Sequence, residues 1–241
     1  MKIIDAVWEE RNLGVSTYEI KIEFQDMLED VSKKYSELTE KQYMVVRIPS
    51  SCHWAVPFFQ SKGYSFIEAA VTLRHDLKNI PVSLGLKKLF DRCSYDEMDD
   101  NDIEVMYNEI DKGIFKTDRI YLDSAFRKGV SAQRYKHWLA DMILQGKVPY
   151  KVIYNNEVIG FFVNSETKNG VYDGILAGVY SNFEGSGLGV CIQYMGLIYC
   201  MNNGAKRFIG HVSANNMGVL KALTSLGFKI TDIEYIFIKH N

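Results

Sequence analysis

The chain has 241 residues, of which 47% are apolar and 24% charged, and its formal net charge is −2. This composition is typical of a globular protein with a buried core, and the near-neutral charge argues against nucleic acid as a partner. No apolar run is long enough to span a membrane, and the N-terminus lacks a signal-peptide pattern. The four cysteines and five histidines share no metal-ligand spacing, so we expect free thiols in a reducing cytoplasm and no metal.

The first third of the chain predicts a small α/β unit, because runs of alternating apolar residues are interleaved with a helical apolar repeat. The expected elements are strands over 3–8 and 15–23, a helix over 24–38, a strand over 43–48, a short helix over 51–61 and a strand over 64–73. Pro49 is expected to stop the third strand. Residues 79–83 form the expected linker between a domain over 1–80 and a domain over 84–241.

The rest of the chain also predicts alternating strands and helices. The expected elements are a strand over 84–92, a helix from Ser94 to about Lys112, a helix over 131–145, strands over 148–154 and 158–163, a strand over 171–179, a helix over 190–201, a strand over 206–212, a helix after Asn216 and a strand over 230–239. Residues 115–123 show no clear period and are expected to form a loop. Asn155 and Asn156 favour a tight hairpin turn.

A glycine-rich turn follows the strand that ends near Val179. Glycines at 185, 187 and 189 allow backbone N–H groups to point at a ligand without an intervening Cβ. The helix that follows directs its positive dipole end to the same place, so the segment predicts a diphosphate cradle. No Lys-Ser/Thr pair follows, which argues against a P-loop, and the spacing differs from that of dinucleotide-binding folds.

The order Glu184-x-x-Gly187-x-Gly189, then Asn216, then Leu226-Gly227-Phe228 resembles the GNAT superfamily of acyl-CoA N-acyltransferases. The resemblance covers about residues 84–241 and implies an α/β fold with a mixed sheet and acetyl-CoA as co-substrate. Glu184 stands where the family usually has Gln or Arg. The coenzyme A diphosphate would be held by the backbone at Glu184, Gly185, Ser186, Gly187, Leu188, Gly189 and Val190. Asn216 and Lys221 match family positions near coenzyme A.

The resemblance also assigns a role to Ala177, Gly178 and Val179. In GNAT folds this strand splays from its neighbour, and its free amides bind the pantetheine and face the thioester oxygen. Gly178 suits a bulge at that point. An ordinary central strand is the alternative.

The proton-transfer groups are left open by the sequence. Asp173 is a candidate base because alternation places it on the same face as Ala177 and Val179, and His211 on the next strand is the other candidate. Solvent alone is a third possibility. Leu223 occupies the position where the family commonly has a tyrosine as general acid. Tyr180, Tyr194 or Thr224 would be substitute donors, or the thiolate leaves without one.

The first third also resembles the last third of the chain in pattern. The segments 44–48, 59–64 and 66–73 lie at almost the same offsets as 208–212, 223–228 and 230–238. This similarity predicts that the N-terminal domain is a degenerate half-GNAT copy. Because it has no glycine-rich turn, we expect it not to bind coenzyme A. Convergent patterning is the alternative explanation.

Residues 115–138 resemble one particular group within this superfamily. Phe115, Arg119, Phe126, Tyr135 and Trp138 form a pattern similar to the TDP-fucosamine acetyltransferase group, which acetylates the amine of a nucleotide-linked sugar. The expected acceptor is therefore a nucleotide-linked amino sugar, and transfer is expected to be direct in a ternary complex. The candidate acceptor residues are Asp118, Arg119, Tyr121 and Trp138. A peptide amine as acceptor, and a non-catalytic acyl-CoA-binding module, are the alternatives, and the protein is expected to be a monomer or homodimer.

Overall fold

The computed structural model describes all 241 residues and is built on one ten-stranded mixed sheet. The strands are β1 (Lys2–Asp5), β2 (Thr17–Lys21), β3 (Tyr43–Pro49), β4 (Ser65–His75), β5 (Cys93–Glu97), β6 (Tyr150–Tyr154), β7 (Glu157–Lys168), β8 (Val171–Val179), β9 (Arg207–Ser213) and β10 (Lys229–His240). The helices are α1 (Val7–Leu13), α2 (Leu28–Ser36), α3 (Ala55–Ser61), α4 (Leu84–Phe90), α5 (Asp100–Asp111), α6 (Arg119–Leu122), α7 (Lys128–Leu144), α8 (Gly189–Asn202) and α9 (Met217–Ser225). None of these helices combines the length and apolarity needed to cross a membrane.

The strand order is β1-β2-β3-β10-β4-β9-β8-β7-β6-β5. Only the pairs β2–β3 and β8–β9 are parallel, and every other neighbouring pair is antiparallel. Helices α2, α3, α4, α8 and α9 pack on one face of the sheet, while α1, α5, α6 and α7 pack on the other. The α/β mixed-sheet prediction is therefore confirmed.

Two segments of the chain repeat the same structure. Each residue of β3 has a counterpart in β9 164 positions later, from Tyr43 and Arg207 onward, and β4 has the same relation to β10. Each copy turns from helix to strand at a glycine with positive φ, Gly63 at 85° and Gly227 at 92°. The hydrogen-bond registers obey the same relation, so the structure contains the internal repeat that the sequence predicts.

The two copies exchange their last strands. Strand β4 lies between β10 and β9, and β10 lies between β3 and β4. The pair Ala70–Glu234 joins two equivalent positions and marks a local pseudo-twofold axis. A strand from the N-terminal copy consequently runs through the middle of the C-terminal copy's sheet. The division into domains over 1–80 and 84–241 stays a prediction.

Three predicted elements were wrong, and the expected loop over 115–123 contains helix α6. Residues 84–90 are helical because Leu86, Leu89 and Phe90 reach the core at helical spacing and the Ser83 hydroxyl caps the helix by accepting from the Leu86 amide at 3.3 Å. Residues 93–97 form a strand in which side chains alternate in exposure, so the next helix starts later, at a capping box formed by Asp99 and Asp102. Residues 7–13 form α1, not the end of a strand.

Candidate functional site

The site begins where β8 diverges from β9. The two strands pair from Val171–Arg207 to Gly174–Gly210, and no pairing continues beyond Gly174. On its other side β8 stays paired with β7 as far as Val179. One edge of β8 between residues 175 and 179 therefore faces a cleft, where its backbone groups are free for a ligand.

The amides of Ala177 and Val179 are directed into this cleft. The carbonyl oxygen of Gly178 points toward β7, since it lies so close to Gly160 that a Cβ there would clash with it. The Tyr180 amide also points toward β7 and donates to the Ile159 carbonyl at 2.9 Å. Because backbone groups alternate along a strand, the two residues that flank Gly178 present theirs to the cleft.

The bulge in β8 lies at Ile175, not at Gly178. Val163 pairs with Leu176 and Asn164 pairs with Gly174, which leaves Ile175 as the extra residue. Gly178 has a different role, because a Cβ there would lie 2.9 Å from both Ile114 and Phe161. It allows close packing on the α5 face of the sheet.

This bulge reverses the predicted orientation of Asp173. A Cβ at Gly174 would point toward Phe208, in the core between the sheet and helices α8 and α9, and the side chain of Ala177 packs on the same core. Because neighbouring residues of a strand point to opposite faces, Asp173 points to the face opposite to Ala177. Simple alternation without a bulge had placed Asp173 on the same face as Ala177 and Val179, and that expectation was wrong. Asp173 does not line the cavity described below.

The glycine-rich turn has the geometry of an anion site. Gly185 and Gly187 adopt positive φ values of 78° and 82°, and nothing lies within 4 Å of a Cβ at either position. The amides of these two residues, and those of Gly189 and Val190 at the start of α8, donate to no protein acceptor. The helix dipole adds to these donors, so the turn fits a diphosphate.

Glu184, the residue that departs from the family pattern, forms an ion pair across the turn. Its carboxylate oxygens lie 2.9 Å and 3.0 Å from the Lys116 ammonium. The carboxylate is mostly exposed. The ion pair offsets the negative charge that Glu184 would otherwise present to a diphosphate.

A cavity of about 270 Å³ opens on both faces of the sheet through the gap between β8 and β9. On the α8–α9 side it is lined by Phe162, Asn164, Gly174, Ala177, Ile192, Gln193, Gly196, Phe208, Gly210, Val212, Asn216, Val219 and Leu223. On the α6–α7 side it is lined by Arg47, Glu68, Ala70, Phe115, Thr117, Asp118, Tyr135, Ile175, Leu176, His211, Ser213 and Ile236. The first side is mostly apolar, whereas the second carries most of the charged groups.

Asn216 and Leu223 are brought to the first side of the cavity. Asn216 caps α9, and its Oδ1 accepts from the Val219 amide at 3.2 Å. Leu223 is 2% exposed and faces the cavity from the next turns of the same helix. Lys221 is exposed and lies outside the cavity lining.

None of the three substitute proton donors lines the cavity. Tyr180 is buried in the cluster between the sheet and α5, and burial raises the pKa of its hydroxyl. Tyr194 stacks on Phe90 with a centroid distance of 3.8 Å. The Thr224 hydroxyl donates to the carbonyls of its own helix.

The predicted acceptor residues separate into different places. Asp118 lines the cavity, where it also caps α6 and accepts from the Ser131 hydroxyl at 2.8 Å. Arg119 is 6% exposed and points away from the cavity, since its guanidinium donates to Glu9 at 2.6 Å. Trp138 is 39% exposed and lies outside the lining.

Tyr121 lines a second cavity of about 220 Å³, which shares Phe115 with the first. Three lysines and one aspartate line this second cavity, so its net charge is positive. Lys112 and Lys116 pair with Glu109 and Glu184, whereas Lys128 forms no ion pair. The Lys128 ammonium lies 5.8 Å from the centre of the Tyr121 ring.

Buried charges hold α1 against α6 and α7, on the second side of the cavity. Glu9 is 1% exposed and accepts hydrogen bonds from both Arg119 and Arg134. Burial acts to raise the pKa of Glu9, but Arg134 and Arg119 outweigh it and hold this pKa below its usual range. The network fixes α6 and α7, and with them Asp118 and Tyr135.

Glu68 is the cavity residue that the sequence analysis missed. It is 7% exposed on β4, and one of its oxygens accepts from the Arg119 amide at 2.9 Å. A lone glutamate inside an apolar strand, Phe66 to Val71, was the available signal. Its position in the cavity depends on the strand exchange, which no local pattern indicates.

No protein-family model and no curated protein matches the sequence. Solved structures do match. A GCN5-related N-acetyltransferase from Sphaerobacter thermophilus is 11% identical with a TM-score of 0.64, over 99% of this chain and 75% of that one. A tandem GNAT protein from the clavulanic acid biosynthesis pathway is 11% identical with a TM-score of 0.54, over 88% of this chain and 66% of that one.

A third match is the GCN5-related glucosamine N-acetyltransferase region of a fungal multi-domain β-N-acetylglucosaminidase. It is 12% identical with a TM-score of 0.59, over 88% of this chain and 27% of that one. The chain thus has the fold of the GCN5-related N-acetyltransferases. More particularly, a tandem GNAT protein is among its structural neighbours.

Proposed function

We propose that the protein is an acetyl-CoA-dependent N-acetyltransferase. The observation that carries this proposal is the cavity that joins two chemically different sides of the sheet through the gap between β8 and β9. The α8 side offers unpartnered amides for a diphosphate and an apolar passage for pantetheine. The α6–α7 side offers carboxylates suited to an amine.

The residues on the α8 side would hold and polarise the acetyl donor. Acetyl-CoA supplies an activated acetyl group as a thioester. The amides of Gly185, Gly187 and Gly189 would bind its diphosphate, and those of Ala177 and Val179 would face the thioester oxygen. A donor placed where negative charge develops is typically worth about 3–4 kcal/mol in the transition state. The amine would attack directly, with no covalent enzyme intermediate.

No side-chain acid is needed at the sulfur. Leu223 lies at the position where such an acid would act, and it donates no proton. Free thiols have pKa values of about 8.5, so a thiolate is a tolerable leaving group near neutral pH. The reaction is therefore compatible with this cavity without Tyr180, Tyr194 or Thr224.

The finer proposal is that the acceptor is a nucleotide-linked amino sugar. Its support is the second cavity, which lies across Phe115 from the carboxylates and would receive the diphosphate of such an acceptor on Lys128. The glucosamine-acetylating neighbour shows that this fold serves amino-sugar acceptors in another protein. Arg119, the cation expected from the sequence for this task, is occupied by Glu9.

The test is to follow free-thiol release from acetyl-CoA with TDP- and UDP-linked 4-amino sugars, glucosamine and peptide amines. Release that depends on a nucleotide-linked sugar and weakens in Lys128→Ala would support the finer proposal. Release with glucosamine or peptides alone would keep the acetyltransferase and overturn the nucleotide-sugar acceptor. Binding of acetyl-CoA without release under any condition would favour a non-catalytic acyl-CoA-binding module, for which Leu223 is the supporting feature.

A further inference from the structure

Glu68 occupies an unusual electrostatic position inside the main cavity. One oxygen accepts from the Arg119 amide at 2.9 Å, and no lysine or arginine forms an ion pair with the carboxylate. The two nearby arginines are engaged elsewhere, since Arg47 contacts Glu19 at 2.7 Å and Arg119 contacts Glu9 at 2.6 Å. No cation therefore neutralises the Glu68 carboxylate. Its protein partners are the Arg119 amide and the Ser213 hydroxyl, and its remaining lone pairs can accept a hydrogen bond from a ligand in the cavity.

The surroundings of Glu68 favour its protonated form more than water does. Burial is the largest cause and raises the pKa of this carboxyl, and the neighbouring Asp118 carboxylate raises it further. The Ser213 hydroxyl and the guanidinium groups of Arg119 and Arg47 lower it, but burial prevails. A buried carboxylate with a raised pKa accepts protons more readily than one in solution.

The other candidate bases are placed less well. Asp173 points to the face of β8 opposite to Ala177 and lies outside the cavity lining. His211 does line the cavity, but its side chain is exposed and its Nδ1 lies 3.2 Å from the Thr72 hydroxyl. Of the three, Glu68 alone combines burial with a place in the cavity lining.

We propose that Glu68 is the general base of the transfer and the anchor for a cationic primary amine, supplied to the active site by the N-terminal copy through its exchanged strand β4. This inference rests on the proposed acetyltransferase function. The Glu68 carboxylate removes one proton from the acceptor ammonium. The freed amine adds to the thioester carbonyl, which forms the C–N bond and a tetrahedral centre. The C–S bond breaks when this centre collapses, and its electron pair leaves on sulfur.

Two protons leave the acceptor ammonium during the reaction. The nitrogen loses its second proton as the tetrahedral centre collapses, and the departing thiolate takes up a proton through solvent in its place and becomes a thiol. One proton remains on Glu68 and returns to solvent after product release. The net reaction converts an ammonium and a thioester into an amide, a thiol and one proton.

The pseudo-twofold axis offers a matched control for this assignment. The counterpart of Glu68 in the C-terminal copy is Asp232, which is exposed and lies outside the cavity. Glu68→Gln keeps the size of the side chain and an oxygen that still accepts from the Arg119 amide. Asp232→Asn makes the same chemical change at the equivalent position of the other copy.

The experiment compares kcat/KM, acetyl-CoA affinity and pH profiles for the wild type and these variants. We expect Glu68→Gln to lose about 100-fold or more in kcat/KM, the range typical of general-base removal, with acetyl-CoA affinity unchanged. Asp232→Asn should match the wild type. In the wild type, kcat/KM should fall as the pH drops through the pKa of Glu68, and this acid limb should be absent in Glu68→Gln.

Ser213→Ala sharpens the test, because it removes a group that lowers the pKa of Glu68. The acid limb should therefore move to higher pH. Wild-type kcat/KM and an unchanged acid limb in Glu68→Gln would overturn the base assignment and leave the acetyltransferase standing. Absence of acceptor-dependent thiol release from the wild type would overturn the proposed function and the base assignment with it.

Discussion

The two copies place a parallel strand pair at equivalent positions, and only one of the pairs opens. In the C-terminal copy β8 and β9 stay together for four residue pairs and then separate. In the N-terminal copy β2 and β3 pair over all five residues of β2, and the Ile22 amide continues the ladder by donating to Arg47 at 3.0 Å. The topology is shared, but a ligand cleft forms only where the ladder stops.

The loops that follow β8 and β2 also differ, because only the loop after β8 leaves backbone amides free for a ligand. After β8 the chain presents glycines and unpartnered amides. After β2 it presents its own carboxylates, since the Glu23 amide donates to Asp26 at 2.7 Å and the N-terminal ammonium also pairs with Asp26. An anion is thus already built into the N-terminal turn, and an external phosphate would be repelled.

The two copies therefore contribute different parts of the candidate site. The C-terminal copy has the glycine-rich turn that we propose binds the donor, while the N-terminal copy contributes β4 to the cavity and α1 to the support of α6 and α7. Losing its own cleft does not make the N-terminal copy dispensable, because Glu9 and Glu68 both belong to it.

The largest expected effect comes from breaking the contact between the copies at Glu9. Glu9→Gln leaves the buried Arg119 without its charged partner, and removing one member of a buried ion pair typically costs about 3–5 kcal/mol. Urea unfolding measures the loss. Glu10→Gln, exposed on the same helix, is the control and should stay close to the wild type. A change below about 1 kcal/mol for Glu9→Gln would contradict the network.

The equivalent glycines of the two copies should respond unequally to alanine. Both residues have positive φ, which costs an alanine about 1 kcal/mol. At Gly63 the nearest atom to a Cβ is the Lys239 Cε at 3.8 Å, whereas at Gly227 the Pro81 ring lies at 2.8 Å. We expect unfolding free energies to fall by about 1 kcal/mol for Gly63→Ala and about 3 kcal/mol for Gly227→Ala. Equal losses would show that the linker does not press on the second turn.

A smaller effect concerns the pH dependence of the stability that Glu9 provides through its ion pairs with Arg119 and Arg134. The folded-state pKa of Glu9 lies below its unfolded value, so the stabilisation is present above the unfolded pKa and is lost as the pH falls through the folded one. The unfolding free energy of the wild type should therefore decrease on acidification below about pH 4.5. Glu9→Gln should show a shallower decrease. Parallel pH curves for the two proteins would contradict the assignment.

Local patterns in the sequence predicted much of the fold and part of the site. The glycine spacing at 185–189, the hairpin at Asn155 and the repeat around Gly63 and Gly227 are local features, and the structure confirms the elements they predict. The bulge at Ile175 reversed the face of Asp173, since one extra residue shifts the period of a strand. The contribution of Glu68 depends on contacts between residues far apart in the chain, which alternation cannot reveal.

The central claim is that one copy binds the acetyl donor and the other does not. Isothermal titration of the full chain with acetyl-CoA tests it most directly, together with Gly187→Asp in the C-terminal turn and Gln25→Asp in the N-terminal turn. We expect one acetyl-CoA to bind per chain. Gly187→Asp should weaken binding at least about 10-fold, because it places a carboxylate in the open space beside the free amides. Gln25→Asp should leave the affinity unchanged. Two molecules per chain, or a loss of affinity confined to Gln25→Asp, would contradict it.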